Sequence, residues 1–248
     1  MKAVYKTDRG KVRERNEDSV GVFYGEKQLF GVVADGMGGH AAGEVASRMA
    51  LEVTEKKWKA LPGPLTEQEA VDWLNHLVRS INVHLYDYSE SHEECRGMGT
   101  TIAAALCGER FITVSAVGDS RIYFWKRGEP IRQVTEDHTL VNELVKSGQI
   151  SKEDAETHPR KHILMRALGT EPAIELDTAT LTWSAGSGII ICSDGLSNKL
   201  SNEKINEILE NDSTLQEKTE KMIEEANNAG GEDNISMIIV SYDGDGEP

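Results

Sequence analysis

The sequence predicts an α+β fold in which antiparallel strands are layered against helices. Short apolar runs recur, several joined by tight Gly-Asp or Asp-Gly turns. Two stretches carry an apolar stripe at 3.6-residue spacing, and the strands come in groups with the helices segregated between them. No internal repeat or low-complexity linker divides the chain, so residues 1–243 are expected to form one domain, with 244–248 as a frayed tail.

Ala3–Thr7 reads as a strand, followed by a turn at Asp8-Arg9-Gly10, and Ser19–Tyr24 reads as a second strand. Leu29–Ala34 is almost wholly apolar, which marks a buried strand. It ends on Asp35-Gly36, passes through Gly38-Gly39 and enters a helix whose stripe is Ala42, Val45, Ala46, Met49, Ala50 and Val53. Pro62-Gly63-Pro64 is a break. Thr66 with Glu69 three residues on forms a capping box for a long amphipathic helix over Glu67–Tyr88. Glu90–Met98 reads as a loop. Thr100–Cys107, Phe111–Val117 and Arg121–Lys126 follow as strands, and their short turns predict an antiparallel meander. From about 138 to 168 the texture turns polar and helical, which predicts an inserted flap. Gly188–Ser193 is a buried strand that meets Asp194-Gly195. Glu203–Glu210 and Leu215–Ala229 read as surface helices, and Ile235–Tyr242 as the last strand.

Composition narrows the function. Of 248 residues, 27 are Lys or Arg and 42 are Asp or Glu, a net charge of −15 that argues against nucleic-acid and anionic-membrane partners. Three cysteines without CxxC spacing and no signal peptide point to a reducing cytoplasm, and no apolar run is long enough to span a membrane. No exposed apolar stripe demands a partner, so a monomer is expected.

The acids are not evenly spread. Glu17-Asp18, Asp35-Gly36, Gly118-Asp119, Asp194-Gly195 and Asp233-Asn234 all sit at ends of strand candidates. If the strands share one end of a layered fold, these carboxylates converge. Like charges at about 4 Å repel by roughly 1 kcal/mol in water and by more in a partly dry cleft, so such a cluster calls for cations. With oxygen donors and no Cys pairs or HExxH, Mg²⁺ or Mn²⁺ suits better than Ca²⁺ or zinc. Asp-Gly is also the commonest turn pair, so spacing alone leaves both a metal site and plain turns open.

The residues around these acids carry more. Arg13-x-x-Asn16-Glu17-Asp18-Ser19, Ala34-Asp35-Gly36-Met37-Gly38-Gly39-His40, Gly99-Thr100-Thr101, Val117-Gly118-Asp119-Ser120-Arg121, Cys192-Ser193-Asp194-Gly195-Leu196 and Glu232-Asp233-Asn234-Ile235 occur in that order. Together they resemble the metal-dependent protein phosphatases of type 2C, in particular the compact bacterial members, over about residues 6–240. Asp137-His138 and Arg166-Ala167-Leu168-Gly169 likewise resemble the two ends of that family's flap.

The resemblance implies a four-layer αββα sandwich with two Mn²⁺ or Mg²⁺ ions at one end and a third, weaker one. Carried over by position, Asp35 bridges the two core ions, the Gly36 carbonyl binds one, and Asp194 and Asp233 complete the pair. Asp119 with Asp194 matches the third site, Asp18 and Glu17 act mainly through water, and Arg13 holds the substrate phosphate. The implied reaction is hydrolysis of phosphoserine and phosphothreonine in proteins by direct attack of water activated between two ions, opposing a bacterial Ser/Thr kinase. No phosphoenzyme is needed, so Ser120 and Ser193 are expected as hydrogen-bonding supports. Met37 occupies the position of a histidine that protonates the leaving group in eukaryotic members. His40 is one candidate to deliver that proton, water another. His138 and His162 are expected to shape the flap or meet substrate. A small-molecule phosphomonoesterase and a non-catalytic phosphoprotein sensor are the competing readings.

Overall fold

The computed structural model describes residues 1–39 and 41–244. His40 and the tail residues 245–248 therefore lie outside the described residues.

The eleven strands among the described residues are β1 (Lys2–Asp8), β2 (Asp18–Gly25), β3 (Gln28–Met37), β4 (Gly99–Thr100), β5 (Ile102–Cys107), β6 (Phe111–Val117), β7 (Arg121–Lys126), β8 (Glu129–Gln133), β9 (Asp177–Thr182), β10 (Ser187–Cys192) and β11 (Ile235–Tyr242). The helices are α1 (Ala42–Lys59), α2 (Glu67–Ser91), α3 (Leu140–Lys146), α4 (Lys152–Thr157), α5 (Asp194–Ser197), α6 (Asn202–Glu210) and α7 (Leu215–Asn228). One sheet runs β1-β11-β10-β7-β8 and the other β2-β3-β5-β6-β9, with β4 paired to the end of β3. All the strand pairings are antiparallel.

Side-chain alternation builds the layers, because successive residues of a strand point to opposite faces. In β3, Phe30, Val32 and Ala34 face α1 and α2, where they meet Ala46, Ala50, Leu74, Leu77 and Ile81. Leu29 and Val33 face the other sheet, against Ile189, Ile191, Ile238 and Val240. The opposite faces of β10 and β11, with Ile190 and Ile239, pack on α6 and α7 through Ile205, Ile208, Met222 and Ile223. The result is helix, sheet, sheet, helix. Gly31 sits where the two sheets abut: a methyl group there would lie 3.1 Å from Ile191 Cδ1 and 3.3 Å from Ile238 Cδ1.

The Thr66/Glu69 capping box starts α2 as expected, with both reciprocal hydrogen bonds made. Ser151 caps α4 in the same way. Three expectations are corrected. β6 and β7 do not form a hairpin: β6 pairs with β5 and β9, while β7 pairs with β10 and β8 in the other sheet. Gly118-Asp119 is therefore a crossing between sheets, which turn length alone does not reveal. β3 does not stop at Asp35 but continues to Met37, because β4 offers it a partner at Gly36–Thr100 and Met37–Gly99. Glu90–Met98, expected as a loop, contains the end of α2 and a 3-10 turn at Glu93–Cys95. β8 and β9 are edge strands with little apolar content, and periodicity passes over them.

Candidate active site

Five acidic segments meet at one end of the sandwich. The β2–β3 register sets Asp18 directly opposite Asp35. The Gly36 N–H donates to the Glu17 carbonyl at 3.1 Å, which ties the two segments together. Asp35 is held through its backbone: its N–H donates to Thr101 Oγ1 at 3.1 Å, and its carbonyl accepts from Thr101 N–H at 2.8 Å and Thr100 Oγ1 at 2.9 Å. Thr101 Oγ1 in turn lies 2.7 Å from Ser120 Oγ, beside Asp119. From the other sheet, β10 delivers Asp194 as the first residue of α5, and Asp233 stands two residues before β11.

Asn234 binds the parts together. Its Oδ1 accepts from the Glu17 N–H at 2.8 Å, and its Nδ2 donates to the carbonyls of Arg9 and Arg15 at 2.9 and 2.8 Å. The loop so pinned presents Arg13, whose Nη2 donates to Asp233 Oδ2 at 2.8 Å. Ser193 is fully buried and donates to Asp18 Oδ2 at 2.8 Å, accepting in turn from the Ser236 N–H. Ser120 is likewise buried. Neither hydroxyl is free as a nucleophile, in line with the supporting roles expected of them.

The cleft measures about 580 Å³ and is lined by Arg13, Glu17, Asp35, Gly36, Asp119, His162, Asp194 and Asp233, among others. Of the described residues expected to hold ions or phosphate, all except Asp18 line it directly. Asp18 lies behind, 8% exposed. Met37 is in the wall. His162, expected to shape the flap or meet substrate, is among the residues that line the cleft.

The electrostatics show what the cluster calls for. Burial first, then the charges of Asp18, Asp194, Asp119 and Asp233, pushes the Asp35 carboxyl well above the ordinary carboxylate range. Asp18 and Asp119 are each pushed up to about 7, again chiefly by burial, with Asp194 adding repulsion in both. Asp194 is raised by burial and by Asp233. Asp18 Oδ1 and Asp194 Oδ1 are buried with no hydrogen-bond partner. Orphaned, mutually repelling carboxylate oxygens are the donor set of a hard divalent cation. Among the described residues no three His, Cys, Asp or Glu side chains close on one point as a ready metal cage. That fits ions such as Mg²⁺, which take one or two carboxylates each and complete their shell with carbonyls and water. The residues present fit such ions.

Sequence reasoning gave no role to Asn234, to the Asn198 Nδ2 that donates to Asp194 Oδ2 at 3.0 Å, or to Arg121, which grips Asp137 with three hydrogen bonds of 2.6–3.1 Å. The Asn234 contacts join residues more than 200 apart and leave no local pattern.

Comparison with known proteins agrees with this geometry. The family model described as protein phosphatase 2C matches residues 8–237. The chain is 45% identical over 244 residues to a serine/threonine phosphatase stp of Listeria monocytogenes, covering 98% of this chain and 96% of the relative. Stp1 of Staphylococcus aureus, a serine/threonine phosphatase, superposes with a TM-score of 0.93 at 34% identity, covering 98% of this chain and 95% of that one. The catalytic domain of the serine/threonine protein phosphatase PstP, solved in complex with two manganese ions, superposes with a TM-score of 0.82 at 35% identity, covering 96% of both. With its layers, its acid-lined cleft and these relatives in agreement, the chain belongs to the protein phosphatase 2C family.

Proposed function

We propose that the protein is a Mn²⁺- or Mg²⁺-dependent protein serine/threonine phosphatase whose reaction runs in the cleft between Arg13 and the aspartates. The observation that carries this reading is the convergence of Asp35, Asp119, Asp194 and Asp233 with Arg13 in one opening.

Asp35, the Gly36 carbonyl, Asp194 and Asp233 would hold two ions, Asp119 with Asp194 would hold a third, weaker one, and Asp18 would act through water. When bound, such ions acidify water and neutralise charge on the phosphoryl oxygens. Arg13 binds the substrate phosphate with its guanidinium fork, and Asp233 orients that fork. Met37 and His162 both line the cleft; with His40 outside the described residues, we assign the proton for the departing serine or threonine oxygen to His162.

Residues 1–243 are read as one catalytic domain, with 138–168 as its flap. The substrates are phosphoproteins supplied by a bacterial Ser/Thr kinase, and the enzyme works as a cytoplasmic monomer. Among the described residues no helix is long and apolar enough to cross a membrane.

Hydrolysis of a phosphothreonine peptide with and without EDTA tests the reading. Turnover should vanish with chelator and return with Mn²⁺. Turnover indifferent to EDTA, or kcat/KM higher on a sugar phosphate than on the peptide, would overturn it.

A further inference from the structure

The crossing from β6 to β7 leaves Gly118 without a strand partner for either of its backbone polar groups. One residue satisfies both. The His138 N–H donates to the Gly118 carbonyl at 2.8 Å, and the Gly118 N–H donates to His138 Nδ1 at 3.2 Å. A backbone N–H can only donate, so Nδ1 must present its lone pair and the ring proton sits on Nε2. Nε2 lies 2.8 Å from Asp177 Oδ2 and donates to it. The ring is buried, and Gly118 is held at φ +101°, a conformation that favours glycine. The next residue is Asp119.

His138 also gathers the two ends of the 138–168 segment. Its carbonyl accepts from the Met165 N–H at 2.8 Å, and Thr139 pairs with Leu164. Arg166, at the far end, approaches Asp177 Oδ1 at 3.9 Å, bracing the carboxylate that orients the ring.

We propose that His138 is a positioning residue: by holding Gly118 at both peptide groups it aims the Asp119 carboxylate into the cleft and couples that aim to the root of the flap. This rests on the reading of Asp119 as an ion ligand. Removing a group that orients a ligand typically lowers metal affinity about 10–100-fold.

The test uses the full chain, and the two amide substitutions separate the two ring nitrogens. In His138→Asn the side-chain oxygen takes the place of Nδ1 and keeps the Gly118 bond. In His138→Gln the amide reaches the place of Nε2, keeps Asp177 and leaves the Gly118 N–H unpaired. Calorimetric titration of metal-free protein with Mn²⁺ should show the weakest site loosened by about tenfold in H138Q and by no more than about threefold in H138N. The Mn²⁺ concentration for half-maximal phosphopeptide turnover should shift in step, while KM for the peptide stays put. Equal loss of melting temperature in both variants with unchanged Mn²⁺ binding would reduce His138 to packing and overturn the proposal. So would equal loss of Mn²⁺ binding in both. Should H138Q not fold, Asp177→Ala at a half-exposed position replaces it: a few-fold weaker Mn²⁺ site is expected, and no change overturns the proposal. Asp119→Asn run alongside keeps the two ideas apart: if it retains every Mn²⁺ site, the assignment of Asp119 fails, whatever His138 does.

Discussion

Arg13 and Asp233 are 220 residues apart in the chain, yet Arg13 Nη2 sits 2.8 Å from Asp233 Oδ2 at the mouth of the cleft. The group assigned to bind phosphate is therefore aligned by a group assigned to bind an ion. Arg13→Ala should lower kcat/KM for a phosphothreonine peptide by about 10–100-fold, equivalent to roughly 1.4–2.7 kcal/mol. Arg13→Lys keeps the charge but not the fork, and should recover only part of the loss. Steady-state kinetics decide it; an unchanged kcat/KM in R13A would remove Arg13 from substrate binding.

Metal-free protein should lose stability as pH rises. In the unfolded chain these aspartates titrate near 4, whereas Asp18 and Asp119 are pushed up to about 7 in the folded cleft and Asp35 and Asp194 are raised as well. Between those values the folded state binds more protons than the unfolded one, so its advantage shrinks from about pH 4 to about pH 7 and then levels off. In EDTA the melting temperature should be lower at pH 8 than at pH 5 by at least ~4 °C, which is about 2 kcal/mol in a chain of this size. Asp35→Asn should flatten the slope, isolating the cluster from the general charge of −15. A profile rising over this window in EDTA would contradict the cluster.

Added Mn²⁺ should reverse that trend, because ions that bind only the folded state stabilise it and compete with protons for the carboxylates. The gain in melting temperature should be larger at pH 8 than at pH 5. Scanning calorimetry with and without Mn²⁺ measures it, and equal gains at both pH values would mean the ions bind elsewhere.

If His162 serves the leaving group, its loss depends on the substrate. His162→Gln should slow a phosphothreonine peptide by about 100-fold or more, the scale of general-acid help. An aryl phosphate, whose phenolate leaves without a proton, should lose little. Equal losses on both substrates would assign His162 to binding.

Gly36 faces the carbonyl of Gly43 so closely that any β-carbon there would overlap it. Gly36→Ala must displace the start of α1 or the end of β3, and should cost more than about 4 kcal/mol, the exceptional end of single substitutions. Circular dichroism melting tests this; a variant as stable as the parent would show that α1 yields at its first turn.

Much of this was legible beforehand. Apolar alternation in Leu29–Ala34 and Gly188–Ser193, and the capping box at Thr66, are local signals and survive in the fold. The order of the acid motifs carried the site through the family resemblance. What stayed hidden depends on partners far along the chain. Nothing near Val117 or Arg121 says that Gly118-Asp119 changes sheets, since a three-residue link looks the same in a hairpin. Asp177 opens an edge strand with little apolar pattern, and its bond to His138 spans 39 residues.

The aspartates are shared between two sheets that touch across a largely apolar seam, so the spacing of the carboxylates is set in large part by hydrocarbon. Gly31 is a point of close approach in that seam, where Ile191 and Ile238 occupy the room its missing side chain leaves. A single methyl at position 31 would press on both isoleucine ends, which would have to give by a few tenths of an ångström, without touching either carboxylate. The oil between the sheets is thereby the gauge block of the metal centre.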